Sequence, residues 1–122
     1  MGNKKILVVD DDPYILMSLE FLMQKNGYAV MVARNGKEAM ELVEQAHPDL
    51  VLLDIMMPDV DGYAICRHIK TDPVLKDIIV VFLSAKTREK DIRKGLDLGA
   101  ALYISKPFST RDLMKQINSL VA

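Results

Sequence analysis

The chain has 122 residues, of which 50% are hydrophobic and 27% are charged. A chain of this length can bury roughly two-thirds of the surface that its unfolded form exposes. Its composition excludes disordered and collagen-like proteins. The net charge of −1 argues against direct nucleic-acid binding through bulk charge, and one cysteine, Cys66, cannot form an internal disulfide. The longest apolar run, residues 78–83, is too short to span a membrane, and the N-terminus lacks a signal peptide's apolar stretch. We therefore expect a soluble, cytoplasmic protein with one domain over residues 1–122.

The first half of the chain alternates strand and helix patterns. Residues 6–9 form an aliphatic run typical of a buried strand, and a helical stripe follows, made of Ile15, Leu19, Leu22 and Met23 and closed by Asn26-Gly27. Residues 29–33 predict a weaker strand. A second helix begins at Asn35 and stops before Pro48.

The second half repeats the alternation. Residues 50–53, 78–83 and 102–104 predict strands. Between them lie a helix over residues 61–70, with Ile65 and Ile69 inward, and a weaker one over residues 87–98, with Ile92 and Leu96 inward. A capping box at residues 109–112 opens the last helix. Five βα units predict an α/β fold, a doubly wound five-stranded parallel sheet in the order 2-1-3-4-5 with helices on both faces.

Polar residues follow the predicted strands where each one ends. Strand 1 runs into Asp10-Asp11-Asp12, strand 3 into Asp54, strand 4 into Ser84 and strand 5 into Lys106. The carboxyl ends of parallel strands share one edge of the sheet, so these side chains should meet in one crevice. Each residue alone has a structural explanation, and Asp12 before Pro13 is best explained as a helix cap. Together they favour a site.

Carboxylates crowded into one crevice repel one another, and their pKa values rise unless a cation compensates. Mg²⁺ fits a site of two carboxylates plus waters, and a lysine and a hydroxyl can bind a phosphate. This set favours phosphoryl transfer to a carboxylate.

Charge is also divided along the chain: residues 1–61 carry 5 Lys/Arg and 11 Asp/Glu, and residues 62–122 carry 11 Lys/Arg and 6 Asp/Glu. The division favours a cation site from the first half and a basic partner surface from the second.

Four segments resemble the receiver domain of two-component response regulators, and the likeness runs from about Lys4 to Val121. They are Lys5-Ile6-Leu7-Val8-Val9-Asp10-Asp11-Asp12, Leu53-Asp54-Ile55-Met56-Met57-Pro58-Asp59-Val60-Asp61-Gly62, Ser84-Ala85 and Tyr103-Ile104-Ser105-Lys106-Pro107-Phe108. The chemotaxis member of this family is a standard example of the 2-1-3-4-5 order, so that order is no independent prediction.

The resemblance implies a role for each matching residue. Asp54 is the expected phosphoacceptor, and Asp10, Asp11, Asp54 and the carbonyl of Met56 the expected Mg²⁺ ligands. Lys106 is expected to pair with the phosphoryl group and to precede a cis bond to Pro107. Ser84 and Tyr103 occupy the switch hydroxyl and switch aromatic positions.

The resemblance also implies partners. A sensor histidine kinase or histidine phosphotransferase would donate the phosphoryl group. Residues 86–115 would form the surface that binds an output domain, a partner protein or a second copy, with no direct nucleic-acid or membrane contact. We expect five of its side chains to be exposed: Lys90, Arg93, Lys94, Tyr103 and Arg111. The sequence leaves open whether this is a whole protein or part of a longer regulator.

One alternative is a haloacid-dehalogenase-like phosphatase, in which Asp10 is the nucleophile and Asp12 the acid/base. That family needs an acidic pair after the lysine, whereas only Asp112 follows Lys106 here, and the alternative gives Asp54 no role.

Two further positions predict how long a phosphoryl group persists. Met56 and Lys86 stand where the receiver fold flanks the approach of water to the phosphorus. A thioether cannot orient that water by hydrogen bonding, and a charged ammonium cannot accept its proton, so we expect slower self-dephosphorylation than in relatives with Asn and Glu at these positions.

Overall fold

A computed structural model of the chain describes residues 3–122; Met1 and Gly2, the start of the predicted domain and of the N-terminal stretch considered above, lie outside the described residues. Five strands alternate with five helices, as the sequence predicts. Their bounds in chain order are β1 Lys5–Val9, α1 Pro13–Lys25, β2 Ala29–Ala33, α2 Gly36–Ala46, β3 Leu50–Leu53, α3 Gly62–Thr71, β4 Ile79–Ser84, α4 Glu89–Asp97, β5 Leu102–Ser105 and α5 Thr110–Val121.

The strands form one parallel sheet in the order β2-β1-β3-β4-β5, which confirms the predicted fold class. The aliphatic runs of β1, β3 and β4 are buried because both faces of the sheet are covered by helices. One apolar cluster packs the sheet against α2 and α3, and a second packs it against α1 and α5. No helix within residues 3–122 is long and apolar enough to cross a membrane.

Helix α1 buries the predicted face with one addition, whereas α4 departs from its prediction. In α1 the buried residues are Leu16, Leu19 and Met23, so the stripe includes Leu16, while Ile15 and Leu22 are only partly buried. In α4 the prediction is wrong: Asp91 and Gly95 face the core, and Leu96 is 44% exposed. The core approaches α4 so closely that a Cβ on Gly95 would lie 2.9 Å from the Phe82 ring, so a residue without a side chain occupies the inner face.

Cys66 is fully buried on α3, where the sequence predicts a half-buried position. Burial raises the pKa of its thiol to about 11, while nearby Lys70 lowers it. This cysteine therefore behaves as a small apolar core residue.

Candidate functional site

The sheet register brings the predicted site residues to one edge. The amide of Asp54 donates to the carbonyl of Val9 at 3.0 Å, which sets Asp54 beside Asp10. The amide of Lys106 donates to the carbonyl of Ser84 at 2.9 Å, which sets those two residues side by side. The carboxyl ends of β1, β3, β4 and β5 thus form a single crevice.

Three carboxylates converge in this crevice. Asp10, Asp11 and Asp54 each offer an oxygen, and these oxygens lie within 4.8 Å of one another. Asp10 and Asp54 are buried, at 1% and 6% exposure, whereas Asp11 is exposed. Burial, and secondly the charge of Asp10, raises the pKa of Asp54, while Lys106 lowers it. Clustered oxygens with one side open to solvent are the donor set that a hard divalent cation such as Mg²⁺ prefers, so the residues fit this ion.

Lys106 bridges two of these carboxylates. Its Nζ lies 2.8 Å from Asp10 Oδ2 and 3.8 Å from Asp54 Oδ2, and its side chain is only 18% exposed. The bond from Lys106 to Pro107 is cis, as the sequence predicts. The ammonium offsets much of the repulsion between two buried acids.

The two residues predicted to form the switch meet at the loop between β4 and α4. Ser84 is fully buried, and its Oγ accepts a hydrogen bond from the Lys86 amide at 3.1 Å. The Tyr103 hydroxyl donates to the Lys86 carbonyl at 2.6 Å. Tyr103 is therefore half-buried and turned inward against Phe82, which corrects the expectation that it is exposed.

The remaining side chains predicted for the partner surface are exposed, as expected: Lys90, Arg93, Lys94 and Arg111. Tyr103 differs because its ring fills space beside Gly95, where a Cβ would lie 3.1 Å from the tyrosine.

A groove of about 440 Å³ opens beside the carboxylates. Met56 and Lys86 both line it, together with Asp11 and Asp61. Met56 is 56% exposed and Lys86 is half-buried, so both side chains lie at the entrance to the crevice. This arrangement fits their predicted position beside the approach to Asp54.

Two sets of hydrogen bonds around the site, made by Asp59 and by Tyr63, have no local signal in the sequence. Asp59 accepts hydrogen bonds from the amides of Gly36 at 2.9 Å and Lys37 at 3.0 Å, and so ties the loop after β3 to the start of α2. Tyr63, 4% exposed, donates its hydroxyl to the Asp91 carbonyl at 3.0 Å. Both contacts join residues more than twenty positions apart, so only the tertiary structure reveals them.

Comparisons with known proteins agree on one family. Residues 6–118 match the family model described as "Response regulator receiver domain". Over 119 residues, 98% of the chain, the sequence is 39% identical to the alkaline phosphatase synthesis transcriptional regulatory protein PhoP of Bacillus subtilis strain 168. The chain spans 49% of that protein's length, about half.

Solved structures are similar over nearly the whole chain. A CheY-like response regulator receiver domain protein from Methanospirillum hungatei JF-1 superposes with a TM-score of 0.92 at 28% identity, over 98% of this chain and 94% of that one. The signal receiver domain of a DNA binding response regulator protein (merR) from Colwellia psychrerythraea 34H gives a TM-score of 0.92 at 30% identity, over 98% of both chains.

The phosphatase alternative is wrong. The Asp12 carboxylate accepts hydrogen bonds from the amides of Tyr14 at 2.9 Å and Ile15 at 3.4 Å, so it caps α1 as predicted and is not free to act as an acid/base. Receiver domains are signalling switches rather than enzymes in the usual sense, and phosphorylation on aspartate and Mg²⁺ binding are typical of them. They act with histidine kinases and output domains. The match over residues 6–118 and the 39% identity to PhoP show that this chain belongs to the receiver domain family of two-component response regulators.

Proposed function

We propose that residues 1–122 act as a single cytoplasmic receiver domain that accepts a phosphoryl group on Asp54 in a Mg²⁺-dependent reaction. The donor is the phosphohistidine of a sensor histidine kinase or a histidine phosphotransferase. The observation that carries this proposal is the position of Asp54, a buried carboxylate that shares a cation site with Asp10 and Asp11 and lies 3.8 Å from Lys106.

In the transfer step, a carboxylate oxygen of Asp54 attacks phosphorus, an O–P bond forms, and the P–N bond to the donor imidazole breaks. The Lys106 ammonium pairs with the charge of the phosphoryl group, and the Ser84 hydroxyl donates a hydrogen bond to a phosphoryl oxygen. The domain thereby assists its own phosphorylation, and later its own dephosphorylation.

Asp10, Asp11, Asp54 and the Met56 carbonyl are the residues that would hold the metal ion. When bound, Mg²⁺ would neutralise charge on the phosphoryl oxygens. The protein's own contribution is to keep Asp10 and Asp54 side by side through the main-chain bond between Asp54 and Val9.

Phosphorylation would act as a switch because it adds about −1.5 to −2 charges to the crevice. Lys106 and the Ser84 hydroxyl would move toward these charges. Ser84 accepts from the Lys86 amide, and Tyr103 donates to the Lys86 carbonyl, so the loop and the tyrosine would respond together. The surface of residues 86–115 would then bind an output domain, a partner protein or a second copy, without direct nucleic-acid contact.

The donor must present its phosphohistidine at the groove. An apolar stripe on α1 begins two residues after Asp12 and is strongly exposed: Tyr14 is 78%, Met17 65% and Phe21 69% exposed. Exposed apolar side chains that line up along one helix face are typical of protein docking surfaces. We assign this stripe to the phosphodonor.

The test uses Mg²⁺ and a small acyl phosphate, followed by intact-mass measurement and peptide mapping. One phosphoryl group should appear on Asp54, and Asp54→Asn should not be modified. Asp77→Asn, a change of an exposed acid in the connection before β4, should be modified like the wild type. Modification of Asp10 or of a serine would overturn the proposal.

A further inference from the structure

Helix α4 has no fully buried apolar side chain. Within α4, all of which is described, the buried residues are Asp91 and Gly95, while Leu96 is 44% exposed. Helices of globular proteins are ordinarily held by a stripe of buried apolar side chains. Ile92 is only partly buried, so contacts of another kind contribute to the position of α4.

Two tyrosine hydroxyls supply contacts of this kind. Tyr103, from β5, donates to the Lys86 carbonyl just before α4 at 2.6 Å. Tyr63, from α3, donates to the Asp91 carbonyl in the first turn of α4 at 3.0 Å. Both bonds end on main-chain carbonyls: the bond from Tyr63 holds the helix itself, and the bond from Tyr103 holds the loop that leads into it.

The two tyrosines share a packing partner. The Phe82 ring centroid lies 5.5 Å from that of Tyr63 and 5.9 Å from that of Tyr103. Gly95 closes over this group, and the Lys94 ammonium lies 4.4 Å from the centre of the Tyr63 ring. Displacement of either tyrosine would change what the other packs against.

Tyr63 is also tied to the phosphoacceptor strand. The amide of Gly62 donates to the Ile55 carbonyl at 2.9 Å, and a Cβ on Gly62 would lie 2.4 Å from the Asp54 carbonyl. The Tyr63 amide donates to Asp61 Oδ1 at 2.8 Å. Gly62, one residue before Tyr63, therefore holds the start of α3 against the main chain of Asp54.

We propose that Tyr63 is a positioning residue of the switch: its hydroxyl links the Asp54 end of β3, through α3, to the first turn of α4. This route runs beside the one through Ser84, Lys86 and Tyr103. It deepens the proposed function and rests on it, because it transmits the change that Asp54 phosphorylation starts.

The experiment follows amide hydrogen exchange across residues 89–97 with and without Mg²⁺ and beryllofluoride, which serves as the phosphoryl analogue. Tyr63→Phe keeps the ring and removes the hydroxyl. The matched control is Tyr28→Phe, because the Tyr28 hydroxyl bonds Asn118 on α5, away from α4. In Tyr63→Phe without the analogue, α4 amides should exchange roughly 5-fold faster, as expected from one lost hydrogen bond. The change that beryllofluoride causes in α4 should shrink by at least half, while the control responds like the wild type.

Gly95→Ala tests the packing of α4 on the same aromatic group, because its Cβ would lie 2.9 Å from Phe82 and 3.1 Å from Tyr103, so the helix or these rings must shift. It should give the same pattern of exchange. An equal rise in exchange in every helix, or a full beryllofluoride response in Tyr63→Phe and Gly95→Ala, would overturn the role of Tyr63. A wild type whose exchange does not respond to beryllofluoride would instead overturn the proposed function.

Discussion

The Lys106 ammonium lies closer to Asp10, at 2.8 Å, than to the proposed phosphoacceptor Asp54, at 3.8 Å. The lysine thus neutralises the buried acid pair in the resting site and is already in place beside the carboxylate that would carry the phosphoryl group. The sequence does not reveal that Lys106 neutralises the buried acid pair. This effect on stability can be tested separately from the part that Lys106 plays in phosphoryl transfer.

Lys106→Met should lower the free energy of unfolding by about 1–3 kcal/mol at neutral pH, since it leaves two buried carboxylates without their cation. Mg²⁺ should restore more stability to this variant than it adds to the wild type, because the site has become more negative. Urea unfolding with and without Mg²⁺ measures both effects. The control is Lys76→Met, an exposed lysine that forms no ion pair within residues 3–122. A Lys106→Met variant that gains less from Mg²⁺ than the wild type would contradict this account.

Asp11→Ala should weaken Mg²⁺ binding and reduce the stabilisation that Mg²⁺ gives. A ligand at ten times its Kd stabilises a fold by about 1.4 kcal/mol, so the wild-type melting temperature should rise measurably. In metal-free buffer the variant should be slightly more stable than the wild type, because one carboxylate has left the cluster. Thermal unfolding across a Mg²⁺ titration measures both quantities. If millimolar Mg²⁺ leaves the wild-type melting curve unchanged, the metal site is wrong.

Met56→Asn combined with Lys86→Glu should shorten the lifetime of phospho-Asp54 by roughly 10- to 100-fold, because an amide and a carboxylate can hold and polarise the attacking water. Both side chains line the groove beside the carboxylates. The decay of the phosphorylated species, followed by mass spectrometry after donor removal, measures the rate. Lys76→Glu makes the same charge change away from the groove and should leave the rate unaltered. Equal or slower decay in the double variant would show that these residues do not set the lifetime.

Gly62→Ala should lower the free energy of unfolding by about 1–3 kcal/mol and slow Asp54 phosphorylation. Its Cβ would lie 2.4 Å from the Asp54 carbonyl oxygen and 2.7 Å from the Ile55 Cα, so the end of β3 must shift. Gly36→Ala is a useful comparison, because its Cβ would instead meet the Val60 side chain at 2.4 Å. Both variants should lose stability, but Gly62→Ala should slow modification by acyl phosphate more. Equal modification rates in the two variants would argue against the contact at Asp54.

Asp59→Ala should change how stability depends on pH. Hydrogen bonds from the amides of Gly36 and then Lys37 lower the pKa of Asp59. Because the folded pKa is lower than the unfolded one, the stabilisation is fully present above the ordinary value near pH 4 and is lost as pH falls through the folded value. The stability gap between wild type and Asp59→Ala should therefore be largest above about pH 5 and shrink below pH 4. Denaturant unfolding over that range, with Asp77→Asn as control, checks the sign; a gap that widens in acid would contradict it.

The fold class and the edge of the sheet where the candidate site lies could be predicted from the sequence. Unbroken aliphatic runs predict strands buried on both faces, and the acids, hydroxyl and lysine that follow those runs necessarily meet at one edge of a parallel sheet. These inferences depend on local periodicity and on chain order, which the sequence contains directly. The cap role of Asp12 is equally local, since its acceptor geometry involves only the next three residues.

The inner face of α4, the inward turn of Tyr103 and the contacts of Asp59 and Tyr63 depend on how separate elements pack, so the sequence pattern does not predict them. An apolar pattern predicts that Ile92 and Leu96 face inward, yet Asp91 and Gly95 are the buried residues, and at Gly95 Phe82 and Tyr103 approach too closely for a side chain. The bond from Tyr63 to Asp91 and the cap from Asp59 to Gly36 join residues 28 and 23 positions apart. Steric fit between separate elements selects such contacts, and no periodicity within one segment records them.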